Sequence, residues 1–283
     1  MQLKSRLRQF KRDLLNVPRM FINIYRLKRQ FPQMKIYTYC ALVNSIEKRN
    51  DVCHVIATGH SALDSYKSGV VQPDDYIMGI NFAAFLPYTF DFYFFEEIFS
   101  TSDCYIARTV GITELLNKRK DDLPNLVYKN AQRICLKMMR KSIPDIKFSA
   151  VFDRQFVYPN VKKLFAPPSV IMPQYASSVI TAIMLAYHAG FKNIVVHGLD
   201  FSGPHIYHDY DLQRHAGVDA PSPYVAKDAA HPNAVHQEMI WSKLMGTFAE
   251  KNVNVFCASP NSNFQKYAKV WRHEQAGEMN VPF

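Results

Sequence analysis

Several groups of polar residues in this 283-residue chain have the types and spacing to do chemistry. Gly198, Leu199, Asp200, Phe201 and Ser202 follow the apolar β-branched run 194–196, which puts small and acidic groups at the end of a strand. Gly59, His60 and Ser61 follow a second apolar run, 52–58, and precede a helical pattern over 62–68. A glycine turn that opens a helix offers backbone N–H groups to a phosphate, although the full G-x-G-x-x-G fingerprint is missing. Two more runs end in polar residues, 76–80 in Asn81 and 90–95 in Glu96 and Glu97. His231 stands before Pro232 and Asn233 at the head of a helical pattern. That position favours the neutral imidazole a general base needs; the plain alternative is a helix-capping histidine. His205, His208, His215 and His236 are zinc-ligand types without a closed ligand spacing, so no metal is expected.

These residues must be held by elements, and the stretch 177–202 is the one the rest is arranged around. Ser177 and Ser178 precede Val179, Ile180, Ile183, Met184, Ala186 and Tyr187, the spacing of a buried helix with a serine N-cap. Gly190 stops the helix, and a strand ending in His197 follows. That is half of a βαβ unit, and in open α/β sheets the ligand lies beyond the carboxyl ends of the strands. Extended structure is also expected over 125–128, helices over 112–117 and 131–140, and short strands and loops over 143–176, where Pro144, Pro159, Pro167, Pro168 and Pro173 fall. Residues 203–230 show little apolar periodicity and carry many tyrosines and histidines, which predicts a lid. A helix from 232 carries Val235, Met239, Ile240, Leu244 and Phe248; a last strand over 253–257 is closed by Ala258, Ser259, Pro260, Asn261 and Ser262. The expected fold is α/β: one Rossmann-like domain with a mainly parallel central sheet, over residues 51–283.

The formal charge of +10 is an N-terminal property. Of the 34 Lys and Arg, twelve lie in the first fifty residues against Asp13 and Glu47, which leaves 22 basic and 22 acidic residues for the rest. Residues 1–50 therefore read as a basic amphipathic extension: Leu3, Leu7, Phe10 and Leu14 recur at helical spacing among Lys4, Arg6, Arg8, Lys11 and Arg12, and Pro18 is expected to break the helix before a second segment. Such a pair suits an anionic membrane surface through residues 1–30, or packing on the body or on a second copy of the chain. Nucleic acid is not expected, because no RRM, KH or zinc-knuckle pattern accompanies the charge. Arg6, Arg8, Lys11 and Arg12 interrupt any secretion-signal core, and no window reaches the ~20 apolar residues of a membrane span. Cys40, Cys53, Cys104, Cys135 and Cys257 are odd in number and dispersed, which favours reduced thiols in the cytoplasm.

Taken in order, VIATGHSAL from Val55, the Asn81 strand end, SSVITAIMLAYHAGFKNIVVHGLDF from Ser177, His231 before its helix and VFCASPNS from Val255 resemble the bacterial sialyltransferases of lipooligosaccharide synthesis, over roughly residues 52–265. The resemblance implies a GT-A-like variant fold, a CMP-activated nonulosonic acid as donor, a lid after the G-x-D-F strand, inversion at the anomeric carbon, and no metal or other cofactor. It makes His231 the general base. Asn81 falls at a nucleotide-contacting Asn, Ser177 and Ser178 at a Thr-Ser pair, and Gly198 and Asp200 match directly. Ser259, Asn261 and Ser262 fit the loop that closes over the nucleotide, and Tyr207, with Tyr210 in reserve, fits a tyrosine on the leaving phosphate. The chain departs from the family at Gly59 and His60, where a turn Asn is usual, at Glu96 for a second donor-contacting Asn, at Tyr175 for an Arg, and at Ser202 for the first tyrosine. Its basic segment is N-terminal, whereas the membrane-associating segment of typical members is at the other end.

On this resemblance the expected reaction moves sialic acid, or a related acid sugar, from its CMP ester to a hydroxyl of a surface glycan. His231 takes the acceptor proton, and Tyr207 or Tyr210, Ser202 and backbone N–H groups of the Gly59 turn meet the leaving phosphate. A transferase for CMP-Kdo or CMP-pseudaminic or legionaminic acid, and a non-catalytic nucleotide-binding membrane scaffold, are the alternatives. The expected location is the inner face of the cytoplasmic membrane, as a peripheral protein, with a homo-oligomer left open.

Overall fold

The computed structural model describes residues 2–95, 125–129, 147–156, 161–175, 177–201, 206 and 234–272. Ten strands are described: β1 Lys35–Tyr37, β2 Val52–Ile56, β3 Tyr76–Ile80, β4 Phe92–Phe95, β5 Asn125–Tyr128, β6 Ser149–Val151, β7 Asp153–Phe156, β8 Met172–Tyr175, β9 Asn193–His197 and β10 Asn254–Cys257. The helices are α1 Gln2–Gln30, α2 Tyr39–Asn44, α3 Ser61–Lys67, α4 Val161–Leu164, α5 Ser178–His188 and α6 Ala234–Glu250. Eight strands form one sheet in the order β1-β6-β5-β4-β3-β2-β9-β10, while β7 and β8 pair separately. Every pairing is parallel. Central strands such as β2, β3 and β4 are buried along their whole length, as continuous apolar runs in a sheet covered on both faces must be.

The two faces have separate cores. Ile180, Ile183 and Met184 of α5 and Trp241, Leu244 and Phe248 of α6 pack on one face with Cys53, Val55 and Val196. Met20, Ile24 and Leu27 of α1 pack on the other with Ala62, Ile56 and Tyr93. The expected α5–β9 unit is present: the Ser177 hydroxyl accepts from the Val179 N–H at 3.2 Å, and Gly190, at φ +85°, ends the helix.

Two expectations for the N-terminus fail. Pro18 lies inside one continuous helix, α1, and does not divide it. An interior proline costs about 3 kcal/mol, but Met20, Ile24, Leu27 and the adjoining Phe31 bury a stripe worth about 1.5–3 kcal/mol each. Nor does the packing divide at residue 50. β1 completes the sheet edge beside β6, Tyr39, Leu42 and Val43 of α2 enter the core, and Asp13 pairs with Arg154 of β7. Charge marks where the basic residues lie; burial decides what belongs to the body.

Candidate functional site

From β2 the chain builds outward through β3, β4, β5 and β6, whereas β9 and β10 lie on the opposite side of β2. The order therefore reverses between β2 and β9, and it is beyond the carboxyl ends of two such strands that open parallel sheets have their ligand crevice. Gly59 leaves β2 and Gly198 leaves β9, and the two meet: the Gly59 N–H donates to the Gly198 carbonyl at 2.8 Å. A Cβ on Gly59 would stand 2.5 Å from Asp200 Oδ2 and 2.6 Å from the Gly198 oxygen. Gly198 is left-handed, at φ +65°, and a Cβ there would meet the Gly59 oxygen at 2.8 Å and the Ala62 side chain at 2.9 Å. Only glycine at both positions lets the loops approach this closely.

Asp200 fixes that approach. Its carboxylate accepts the Ser61 N–H at 3.0 Å and the Ser61 hydroxyl at 2.5 Å, so it caps α3 across the crevice. The expectation that N–H groups of the Gly59 turn meet a phosphate is thereby corrected. Gly59 N–H is bonded to Gly198, Ser61 N–H to Asp200 and Ala62 N–H to the Gly59 carbonyl, so an internal carboxylate holds the place an anion would take. His60 occupies the N-cap position of α3 without a side-chain cap bond.

The loop after β10 closes the same crevice. Ser262 Oγ donates to the Leu199 carbonyl at 3.0 Å, Asn263 Nδ2 to the Asp200 carbonyl at 2.8 Å, and Asn261 Nδ2 to Asp64 Oδ2 at 2.9 Å. The Ser259 hydroxyl accepts the Asn261 N–H at 3.1 Å. Residues 59–61, 198–200 and 259–263 thus come from three separate stretches to one place. Their side chains lock the loops together, a role that falls on Asp64 and Asn263 as well, neither of which stood out in the sequence.

Asn81 differs from these. Ile56 pairs with Gly79, which puts Asn81 one strand over from β2 at the height of Thr58. Its backbone is left-handed, at φ 50°, and its carbonyl accepts the Tyr93 hydroxyl. Its Oδ1 is buried without a hydrogen-bond partner among the described residues. The unpaired acceptor and the left-handed backbone thus fall together at one strand end. Phe201, after β9, is also left-handed, at φ 60°. Next to the crevice, Ile206 is buried and donates its N–H to the Thr58 carbonyl at 2.9 Å, which ties the start of the expected 203–230 segment across the end of β2. Ser177 and Ser178 head α5, which runs antiparallel into β9 and so begins on the carboxyl side of the sheet; the Ser177 hydroxyl is turned onto its own helix. Glu96, Ser202, Tyr207, Tyr210 and His231 lie outside the described residues, as do the helices expected over 112–117 and 131–140. Among the described residues no group of three or more His, Cys, Asp or Glu could hold a metal ion, and Cys40, Cys53 and Cys257 are free thiols.

Fold and strand order together define a parallel α/β protein whose sheet changes direction of growth between β2 and β9. No family model and no curated protein matches the chain. Among solved structures it is similar to the monofunctional alpha-2,3-sialyltransferase Cst-I of Campylobacter jejuni, at 16% identity and a TM-score of 0.45 over 80% of this chain and 82% of that one. It is also similar to CstII of the same organism in complex with CMP-3FNeuAc, at 13% identity and a TM-score of 0.42 over 82% and 88%. For CstII with a trisaccharide acceptor and CMP, the identity is 13% and the TM-score 0.41 over 82% and 89%.

Proposed function

We propose that this chain is an inverting glycosyltransferase that moves sialic acid, or a related nonulosonic acid, from its CMP ester to a hydroxyl of a surface glycan such as lipooligosaccharide or capsule. The observation that carries the proposal is the convergence, at the β2/β9 switch point, of residues 59–61, 198–200 and 259–263, the stretches whose order along the chain resembles that family. Asn81 Oδ1 is the acceptor left unpaired beside them, and it is suited to an N–H of the nucleotide base or a sugar hydroxyl.

In this reaction the bond from the anomeric carbon to the CMP oxygen breaks as the acceptor oxygen attacks from the opposite side. His231 takes the acceptor proton, and the hydroxyls of Tyr207 or Tyr210 and Ser202 meet the negative charge on CMP. With the Gly59 turn closed by Asp200, these hydroxyls carry the phosphate in place of backbone N–H groups. No metal or other cofactor is invoked. The protein works as a peripheral protein on the inner face of the cytoplasmic membrane, held there by the basic and apolar residues of α1.

The test is a panel of CMP-sugars with CMP release as the readout. CMP release from CMP-sialic acid, reduced about 10²–10⁴-fold in His231→Ala, is the expected result. Release only from CMP-Kdo or from the pseudaminic or legionaminic donors would move the protein to another donor class. Binding of CMP without release from any donor would make it a non-catalytic scaffold.

A further inference from the structure

Four polar side chains form a hydrogen-bonded line through the middle of the sheet. Asp75, at the amino end of β3, lies with Oδ2 2.9 Å from His54 Nε2. His54 Nδ1, in β2, lies 2.8 Å from His197 Nε2, the last residue of β9, and His197 Nδ1 lies 2.7 Å from the Ser65 hydroxyl of α3. His54 and His197 are fully buried, and Asp75 and Ser65 are buried with them. Asp75 also accepts the Gln72 N–H at 2.8 Å and Asn50 Nδ2 at 3.0 Å, and Ser65 Oγ lies 3.0 Å from the Ala62 carbonyl. Ionisable groups this deep in a sheet are costly, and apolar residues of the same size would pack without that cost.

The line can be fully hydrogen-bonded in two ways that differ by one proton. In the first, both rings are neutral: His54 Nε2–H donates to Asp75, His197 Nε2–H to His54 Nδ1, and the Ser65 hydroxyl to His197 Nδ1. In the second, His54 carries both protons and donates to Asp75 and to His197 Nε2, His197 Nδ1–H donates to Ser65, and the Ser65 hydroxyl turns to the Ala62 carbonyl. One arrangement becomes the other when a hydronium ion of the solvent loses a proton that forms an N–H bond at His197 Nδ1, the N–H bond at His197 Nε2 breaks, and its proton re-forms an N–H bond at His54 Nδ1. No heavy atom needs to move, and the buried carboxylate gains a positive partner.

We propose that Asp75, His54, His197 and Ser65 are a buried relay that takes up one proton at the His197 end and stores it on His54, and that this relay positions the crevice. His197 adjoins Gly198, and Ser65 is one turn from Ser61, which holds Asp200, so the two ends of the crevice lock rest on the relay. Burial, and then the proximity of His54, push the His197 imidazole well below its ordinary value, which keeps that ring neutral in both arrangements. Burial alone would raise the Asp75 carboxyl, but the hydrogen bonds from His54, the Gln72 N–H and Asn50 outweigh it and hold the group ionised. Of the other titratable groups around the line, Cys53, Tyr76 and Tyr88 are raised by burial and stay neutral, Tyr66 packs on Tyr88, and Arg49 is paired bidentately with Asp91.

Long-range proton–nitrogen NMR spectra of the ¹⁵N-labelled protein between pH 5 and 9 test the relay, with His54→Gln and His197→Gln used for assignment. His197 should change from the Nε2–H to the Nδ1–H tautomer as pH falls while remaining neutral, and His54 should gain its second proton at the same midpoint. A single His197 tautomer throughout, or separate midpoints for the two rings, would overturn the relay. Asp75→Asn should lower the midpoint by about one pH unit or more; an unmoved midpoint counts against it, and the wild-type titration decides if that variant does not fold. The link to the crevice rests on the donor-site proposal: saturating CMP should move the midpoint by about 0.7 unit, the counterpart of a fivefold coupling. A midpoint unmoved by bound CMP overturns the link, whereas failure of CMP to bind overturns the donor site and leaves the tautomer result standing.

Discussion

Gly59 and Gly198 are glycines for different reasons that mutation can separate. At Gly59 the obstacle is contact with Asp200 and the Gly198 carbonyl, so Gly59→Ala should destabilise by about 1–3 kcal/mol. Gly198 adds a left-handed backbone worth about 1–2 kcal/mol to similar contacts, so Gly198→Ala should cost about 2–5 kcal/mol. Gly69 supplies the control. It has the same handedness, at φ +64°, with nothing within 4 Å of a Cβ, so Gly69→Ala should cost only the backbone part. Urea unfolding of the three variants measures the split. His188 sets part of the acid limb of stability. The Tyr39 hydroxyl lies 2.7 Å from its Nδ1, and burial pushes the imidazole down to about 4, against backbone hydrogen bonds at Ala166 and Met184. Its folded value lies below the unfolded value of about 6.5, so its contribution is present above pH 6.5 and lost as pH falls toward 4. Between pH 7 and pH 5 the loss is about 2 kcal/mol, and the difference between the pH profiles of the native protein and His188→Gln should show it.

At the scale of elements, α1 presents two apolar stripes. One, of Met20, Ile24 and Leu27, is buried against the body. The other, of Leu7, Phe10, Leu14, Phe21 and Tyr25, faces solvent, with Phe10 and Leu14 each 64% exposed. Arg8, Lys11, Arg19, Arg26 and Arg29 are exposed on the same helix. Among the described residues no helix is long and apolar enough to cross a membrane. Each basic residue near anionic lipid contributes about 1 kcal/mol. The pair Phe10→Glu and Leu14→Glu should therefore abolish sedimentation with phosphatidylglycerol vesicles and leave the melting temperature unchanged. Loss of a dimer in place of vesicle binding would show that a second copy of the chain covers this stripe.

At the scale of the whole molecule, a ligand that binds only the folded crevice stabilises every element joined to it. CMP at a hundredfold excess over its Kd should add about 2.7 kcal/mol, and Asn81→Ala should reduce that gain by weakening CMP binding. Calorimetric melts with and without CMP measure both. Equal stabilisation of native protein and variant would remove Asn81 from the ligand site.

Local pattern was enough for much of the fold. β-branched runs bounded by polar residues placed β2, β3, β9 and β10, and a hydroxyl before an apolar helix placed the Ser177 cap, because these depend on residues near in sequence. The same local logic misjudged α1, where propensity at Pro18 gave way to burial of residues that lie far along the chain. His54 and His197 were a legible but unused signal: two histidines inside apolar strands. Their partners Asp75 and Ser65 come from other elements, so only strand order and register could join them. The sequence by itself determined the parallel α/β class, the strand ends and the placement of charge, since each follows from composition and short-range periodicity. Only the tertiary structure decided that Asp200 closes the Gly59 turn, that α1 belongs to the body and that a hydrogen-bonded line of Asp75, His54, His197 and Ser65 crosses the sheet, because each depends on groups tens to more than a hundred residues apart and is fixed by packing.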